Sequence, residues 1–431
     1  MVDITPFRGL LFNQKKTGPI DQVIAPPYDV ISSKEQDTLY KKNPYNVVRL
    51  ILEKQYSEDD ENDNRYTRSS ATFVKWIEDG ILVEDQKLGF YVYSQEYVCE
   101  GESVCRVGFF ARVRLEDFDS GNICPHEFTL AKAKQDRMNL LKACRANFSP
   151  IFGLFSDPSG VVDTSLNQTM KENPFAVIEE NGVLNKAWRI DDDEKQAFII
   201  GQFYDKKIFI ADGHHRYETA LNYYKENKNE VGDSGHVMMF LTNLDAQSLA
   251  VYPIHRLIKS PAPFDETIFI DQLKKYFFVE PLDKGVDENK IRKALDSVGE
   301  DSVAFFICFG QGRGCFVKVK EKSNILSLLE VGESEELKTL DVVQLHTMIL
   351  KNILNIDTKQ SNDQKYVTYK VDMVEALDRV NSSEFDLAFF INPTPVNQVR
   401  NLAEKGIRLP QKATFFYPKL LSGLVINKFK P

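Results

Sequence analysis

A mixed α/β fold, with mixed sheets and flanking helices, is predicted from three features of the chain. Strand-like and helical segments alternate over the first ~150 residues, the pattern of a layered sheet-and-helix unit. A second alternating series fills the last third. The composition, 42% hydrophobic and 27% charged over 431 residues, is that of an ordinary globular protein and excludes wholesale disorder. At roughly 150 residues per domain the length predicts two or three units. The Pro-rich stretch Lys259-Ser260-Pro261-Ala262-Pro263 is read as the boundary between an N-terminal α/β domain, 1–259, and a C-terminal one, 260–431.

The elements follow in order. Residues 46–52 (NVVRLIL), rich in β-branched side chains, read as a strand. The acidic run 57–64 reads as an exposed loop or helix start, and Phe73, Trp76 and Ile77 mark a helix that stops at Gly80. Residues 90–98 and 104–115 form a hairpin, and a helix covers 128–142. Turn formers Asp157-Pro158-Ser159-Gly160 and Asn181-Gly182 make 156–185 a span of loops with room for a short helix. Residues 208–211 are a buried strand, after which Tyr217, Ala220, Leu221 and Tyr224 fall on one face of a helix. Residues 236–244 read as a central strand. The last third reads as a helix at 288–297, a hairpin of 303–309 and 315–320 turning at Gly310-Gln311-Gly312, a helix at 340–354, a strand at 386–392 and a helix at 396–405.

Composition also limits function. A net charge of −9 argues against a dedicated nucleic-acid or anionic-membrane binder, while leaving room for a local basic pocket. No apolar run approaches the roughly 18 residues of a membrane span, and the opening residues lack the pattern of a secretory signal. Six cysteines without a C-x-x-C pair fit reduced packing thiols and a cytoplasmic setting.

The densest chemistry is Asp212-Gly213-His214-His215-Arg216 at the strand-to-helix junction. Glycine permits the tight turn, the helix start offers unpaired N–H groups, and two imidazoles with a guanidinium suit a phosphate. Asp212 adds a carboxylate for Mg²⁺ or proton transfer; the alternative is a plain helix cap with surface histidines. His126 and Glu127 precede a helix carrying Lys134 and Arg137, with Glu127 and Lys134 expected on one face; without a second histidine this is not a zinc protease motif. Arg137 is a candidate phosphate contact, or part of a solvated face. Lys412 and Lys419 lie in a Pro-bracketed segment as candidate point charges for phosphate, or as guards of an edge strand. The rigid Ala25-Pro26-Pro27-Tyr28-Asp29 turn makes Tyr28 and Asp29 candidate substrate contacts. No P-loop or G-x-S-x-G elbow occurs, and His255 and His346 read as structural.

Together with Ile4-x-Pro6-Phe7-Arg8, Asn43-Pro44-Tyr45, Leu340-Asp341-Val342 with Leu345-His346, and Asn392-Pro393-Thr394, these motifs resemble the family called domain of unknown function 1015, over about residues 4–426. Ala413 departs from it, since members usually carry Ser before Thr414. The 208–221 strand-turn-helix is similar to the ParB/sulfiredoxin superfamily, whose members bind nucleotides on this element; some are CTP switches and one class phosphorylates free serine. Sulfiredoxins place a catalytic cysteine where this chain has His214, which argues against sulfinic-acid repair. The resemblance implies a small-molecule kinase moving a phosphoryl group from ATP or ADP, with Mg²⁺, to a small hydroxyl compound, serine first. In that role Asp212, Glu127 and His126 would be catalytic, Asp212 the metal ligand, and Gly213, His214, His215, Arg216, Arg137, Lys412 and Lys419 the phosphate contacts. The alternatives are a non-catalytic nucleotide-binding regulator of ParB type and a metal-dependent phosphodiesterase or nuclease. The sequence leaves the oligomeric state open.

Overall fold

The computed structural model describes residues 1–99, 101–129, 131–227, 235–282, 284–298, 302–320, 337, 340–360 and 362–430. The fold is mixed α/β, and the chain divides into two compact units. Unit 1 comprises 1–125, 129–250 and 418–431; unit 2 comprises 126–128 and 251–417. The stretch Lys259–Pro263 lies inside unit 2, and the chain re-enters unit 1 at Pro418.

Unit 1 is built on a nine-stranded mixed sheet. Its order runs Ile123–Pro125, Ile208–Asp212, Ile151–Phe155, His236–Asn243, Glu102–Arg114, Phe90–Cys99, Val183–Ile190, Ala176–Glu180, with Ile4–Thr5 also paired to Glu102–Arg114. Ile208–Asp212 is parallel to Ile123–Pro125 and antiparallel to Ile151–Phe155. Alternation decides which side chains enter the core: Ile208 and Ile210 join Phe90, Phe109, Phe155 and Met239. The next helix, His214–Glu226, turns Tyr217, Ala220 and Leu221 into the same core with Tyr224 packed against it, the face its period predicts.

Unit 2 carries a six-stranded antiparallel sheet in the order Phe277–Leu282, Arg313–Val319, Ala304–Gly310, Leu387–Phe390, His255–Ile258, Val367–Lys370. Apolar clusters cover both of its faces. One contains Leu345, Met348 and Phe389; the other packs the helices Glu288–Asp296 and Met373–Asn381 over Phe306, Cys308 and Phe390. The hairpin turn at Gly310-Gln311-Gly312 has all three residues at positive φ (81°, 54° and 71°).

Two local expectations are corrected. Residues 46–52 are not a strand: Val48–Ile51 is a short helix, entered through Asn46, whose Oδ1 accepts from Val48 N–H at 3.0 Å while its Nδ2 donates to the carbonyls of Gln22 and Ile24 at 2.9 Å. Burial of Val47, Val48, Leu50 and Ile51 then outweighs their strand preference. The 156–185 span is more regular than loops. It holds the helix Val161–Thr169 and a hairpin of Ala176–Glu180 with Val183–Ile190, turning at Asn181 and Gly182 with φ of 50° and 74°.

The helix expected over 340–354 is short and irregular: Asp341–Gln344 continues as a π-helix, Leu345–Lys351. The six cysteines are free thiols, and no helix among the described residues is long and apolar enough to cross a membrane.

Candidate functional site

In unit 1 the site begins where the strand Ile208–Asp212 ends. Pairing with Ile151–Phe155 slips register between Ile210 and Asp212, which re-aims Asp212 at the strand end. Gly213 follows at φ 95° and ψ 26°, a left-handed conformation that glycine adopts without steric cost, and the helix starts at His214. A side chain there would also collide, since a Cβ on Gly213 would lie 3.0 Å from the Arg216 guanidinium. Gly213 itself is the cap residue and no side chain caps the helix, so Asp212 is not the N-cap.

Asp212 instead holds two cations. Arg216 Nη2 donates to its Oδ2 at 2.6 Å, and Lys419 Nζ donates to its Oδ1 at 2.5 Å. Arg216 Nη1 donates to the carbonyl of Pro150, which fixes the guanidinium across the turn. The three side chains are 14–18% exposed, so the pairs are only partly screened by water. His214 is buried and His215 half-buried on the first turn. Chemically the turn combines two positioned cations, one carboxylate counter-ion and a helix start, groups that are able to meet an anion.

Lys419 reaches Asp212 because the C-terminal segment is stitched into unit 1. Ser422 exchanges backbone hydrogen bonds with Ala25 (2.8 and 3.3 Å), Ile426 with Leu10 (2.9 and 3.1 Å), and Asn427–Lys428 pairs with Ala146–Asn147. Nearer the lysine, a buried polar row crosses three adjacent strands, because Arg106 pairs with Gln95 and Gln95 with Asn185 in register. Arg106 Nη2 donates to Gln95 Oε1 and, at 2.5 Å, to the Pro418 carbonyl. Gln95 Nε2 donates to the Lys419 carbonyl at 3.2 Å and to Asn185 Oδ1 at 3.0 Å, where Tyr93 Oη also donates at 2.5 Å. Burial lowers Arg106 to about 10, which leaves it charged at neutral pH, and its guanidinium lies 4.7 Å from the centre of the Phe152 ring. Sequence reasoning missed this row, because isolated polar residues in a strand read as its solvent face.

Tyr28, Arg137 and Arg216 are brought together on one small cavity of about 60 Å³, with Ser149 and Asn147. The Arg137 guanidinium lies 3.8 Å from the centre of the Tyr28 ring and donates to Asp136 and to the Ile51 carbonyl. Burial pushes the Tyr28 phenol above its usual range, with Arg137 and Arg216 pulling the other way. Asp29, by contrast, is exposed. This cavity is far below the roughly 300 Å³ at which small-ligand clefts begin, so it is a sub-pocket beside Arg216.

The remaining candidates lie in unit 2. His126 Nε2 is 3.0 Å from Thr414 Oγ1, and Leu409 N–H donates to the His126 carbonyl at 2.6 Å. Glu127 Oε1 accepts from the Lys412 backbone N–H at 2.9 Å, while the buried Arg256 donates to the Lys412 carbonyl at 2.9 Å. Lys412 is thereby held at φ 58°, a strained conformation for a side-chain-bearing residue, with its side chain exposed. Arg256 Nε also donates to His346 Nε2 at 3.3 Å, so that nitrogen accepts and the ring is neutral; burial and Arg256 hold its pKa far below the usual range. The expected shared face of Glu127 and Lys134 is corrected. Glu127 bridges to Leu409 ahead of the helix Ala131–Cys144, and Lys134 pairs with Glu218 at 2.9 Å, as Thr129 does at 2.6 Å.

A model of the family described as "Protein of unknown function (DUF1015)" matches residues 4–343. No curated protein matches the sequence. Among solved structures, a conserved hypothetical protein from Pyrococcus furiosus is similar at 15% identity and TM-score 0.35, over 72% of this chain and 90% of that one. A free serine kinase in complex with AMP is similar at 15% identity and TM-score 0.35, over 74% and 92%. SbnI with C-terminal truncation, from Staphylococcus aureus, is similar at 12% identity and TM-score 0.36, over 73% and 85%.

Proposed function

The chain belongs to the DUF1015 family, whose name carries no activity, and from the site, together with the resemblance of the 208–221 segment to a superfamily that binds nucleotides and includes a class phosphorylating free serine, we propose that it is a nucleotide-dependent phosphotransferase acting on a small hydroxyl compound, with serine the first candidate. The observation that carries the reading is Asp212 holding Lys419 and Arg216 at the glycine turn that opens the helix His214–Glu226. Two fixed cations beside a helix start favour the distributed charge of a transferring phosphoryl group more than that of a neutral ligand. Lys419 and Arg216 contact the phosphates, His215 and the Gly213 turn line their path, and Arg137 with Tyr28 supports Arg216 from the adjoining cavity. The six free thiols are those of a reducing compartment, which makes the cytoplasm the proposed setting.

Mg²⁺ fits this site poorly as a protein-bound ion. Among the described residues no three His, Cys, Asp or Glu side chains gather, and Asp212 already gives one oxygen to each cation. A magnesium ion that arrives on nucleotide phosphates needs only one or two carboxylates, but it would have to displace Lys419 or Arg216 from Asp212. No step is therefore routed through it. The same pairing favours a second reading, nucleotide binding without transfer, because a carboxylate neutralised by two cations is a weak base.

The test is acceptor-dependent turnover. Purified protein is incubated with ATP or ADP and Mg²⁺, with and without serine and a panel of amino-acid and sugar alcohols. A transferase consumes nucleotide only with an acceptor; a nucleotide-binding regulator binds it and consumes none.

A further inference from the structure

Unit 2 contains a cavity of about 290 Å³ that plays no part in the proposal above. Two segments distant in sequence form its polar wall: Asp341, at the start of the helix Asp341–Gln344, and Asn392 with Thr394, just beyond the strand Leu387–Phe390. Ser302, Gln398 and Asp296 complete the polar lining. Both charged side chains on it are acids, and no Lys, Arg or His lines it among the described residues.

Acceptor oxygens gather on this wall. Asn392 donates one of its two amide N–H bonds to the Leu295 carbonyl (3.4 Å), and Thr394 uses its hydroxyl proton on the Ala413 carbonyl (3.2 Å). Their oxygens, together with the Asp341 carboxylate, remain as acceptors. Among the described residues no hydrogen bond or ion pair reaches the Asp341 side chain, and burial alone pushes its pKa up to about 7. A half-buried carboxylate without a partner is costly to keep, and the complement of two acceptor oxygens beside a carboxylate is a group that carries three donors and a positive charge.

We propose that this cavity binds a small primary ammonium compound of amino-alcohol size, its –NH₃⁺ held by Asp341, Asn392 and Thr394. The volume suits it, lying near the lower end of small-ligand clefts, about 300 Å³. An ammonium ion donates three hydrogen bonds and accepts none, which suits the acceptors of Asp341, Asn392 and Thr394. A metal cation is the poorer fit, since the lining offers two carboxylates and no third His, Cys, Asp or Glu gathers with them among the described residues.

The experiment is calorimetric titration of the full chain with ethanolamine, with ethylene glycol as the uncharged analogue of the same size. Ethanolamine binds at least about 10-fold more tightly than ethylene glycol, and Asp341→Asn removes at least about 10-fold of that affinity. Asn392→Leu, which keeps the carboxylate and fills part of the cavity, weakens it too, so the result does not hang on one variant. Lys419→Ala, altered in unit 1, leaves ethanolamine binding unchanged. Because burial raises the Asp341 pKa to about 7, ethanolamine uptake releases protons near neutral pH and fewer at pH 8.5, read from the dependence of the heat on buffer ionisation. Equal affinity for the two probes, no ethanolamine binding up to about 10 mM, or an Asp341→Asn protein that binds as the parent does overturns the proposal. Tight Mg²⁺ binding lost in Asp341→Asn would overturn it in favour of a metal site.

Discussion

Gly213 is the single position at which backbone and site depend on each other. Its φ of 95° strains any side chain, and a Cβ would lie 3.0 Å from the Arg216 guanidinium, which would have to give way. Gly213→Ala is expected to cost about 1–2 kcal/mol from the left-handed backbone alone, and to push Arg216 off Asp212. The check is a denaturant melt beside nucleotide titration; the affinity falls further than the stability loss explains. Asp212→Asn separates two roles. As anchor for Lys419 and Arg216, the carboxylate leaves two partly buried cations facing each other when lost, a cost of about 1–3 kcal/mol. If Asp212 is also the base, turnover per folded molecule falls roughly 10²- to 10⁴-fold beyond the loss of nucleotide affinity. If it is only the anchor, turnover falls no further than affinity does.

At the scale of elements, the strand-turn-helix of 208–226 was legible because two periodicities meet there: alternation in Ile208 and Ile210, then a helical face in Tyr217, Ala220 and Leu221, with a glycine between them. What the sequence hid is the support behind it. Gln95 and Lys419 are 324 residues apart and meet through one hydrogen bond, and no local pattern marks Arg106, Gln95 and Asn185 as buried rather than exposed. The misread segment 46–52 fails for a related reason: one side chain, Asn46, bonds to three backbone groups and converts a strand-like composition into a helical turn. Replacing Arg106 by Met tests the supporting row. It leaves the Pro418 carbonyl and Gln95 Oε1 without their donor, so stability drops by about 2–4 kcal/mol. Nucleotide affinity drops as well, because Lys419 loses the restraint on its backbone; Arg106→Lys restores the charge but not the planar guanidinium that reaches both acceptors and lies over Phe152.

For the whole molecule, buried titratable groups set the response to pH. Burial holds His255 down to about 3 and His346 well below its usual range, so the unfolded chain takes up protons from about pH 6.5 downward while these two rings do not. Their contribution is present above about pH 6.5 and is lost as pH falls toward 3. Asp341 has the opposite sign. Raised to about 7, it favours the folded state below the ordinary carboxylate range, and that advantage disappears as pH climbs through 7. Stability therefore declines on acidification below pH 6.5, with Asp341 offsetting part of the loss. Melting curves of Asp341→Asn between pH 4 and 8 show a steeper acid decline than the parent and, at pH 8, a gain of up to a few kcal/mol. A variant with an unchanged slope contradicts the burial assigned to this carboxyl.

The central claim is that Lys419 and Arg216, fixed on Asp212, form a nucleotide phosphate site in unit 1. Its most direct test is calorimetric titration of ADP and ATP, with Mg²⁺, into the parent protein and Lys419→Ala at two salt concentrations. The expected result is submillimolar binding that weakens with added salt and falls at least about 10-fold in Lys419→Ala without a change in melting large enough to explain it. Absence of binding by any nucleoside di- or triphosphate up to about 1 mM, or equal affinity in the parent and Lys419→Ala, contradicts the claim.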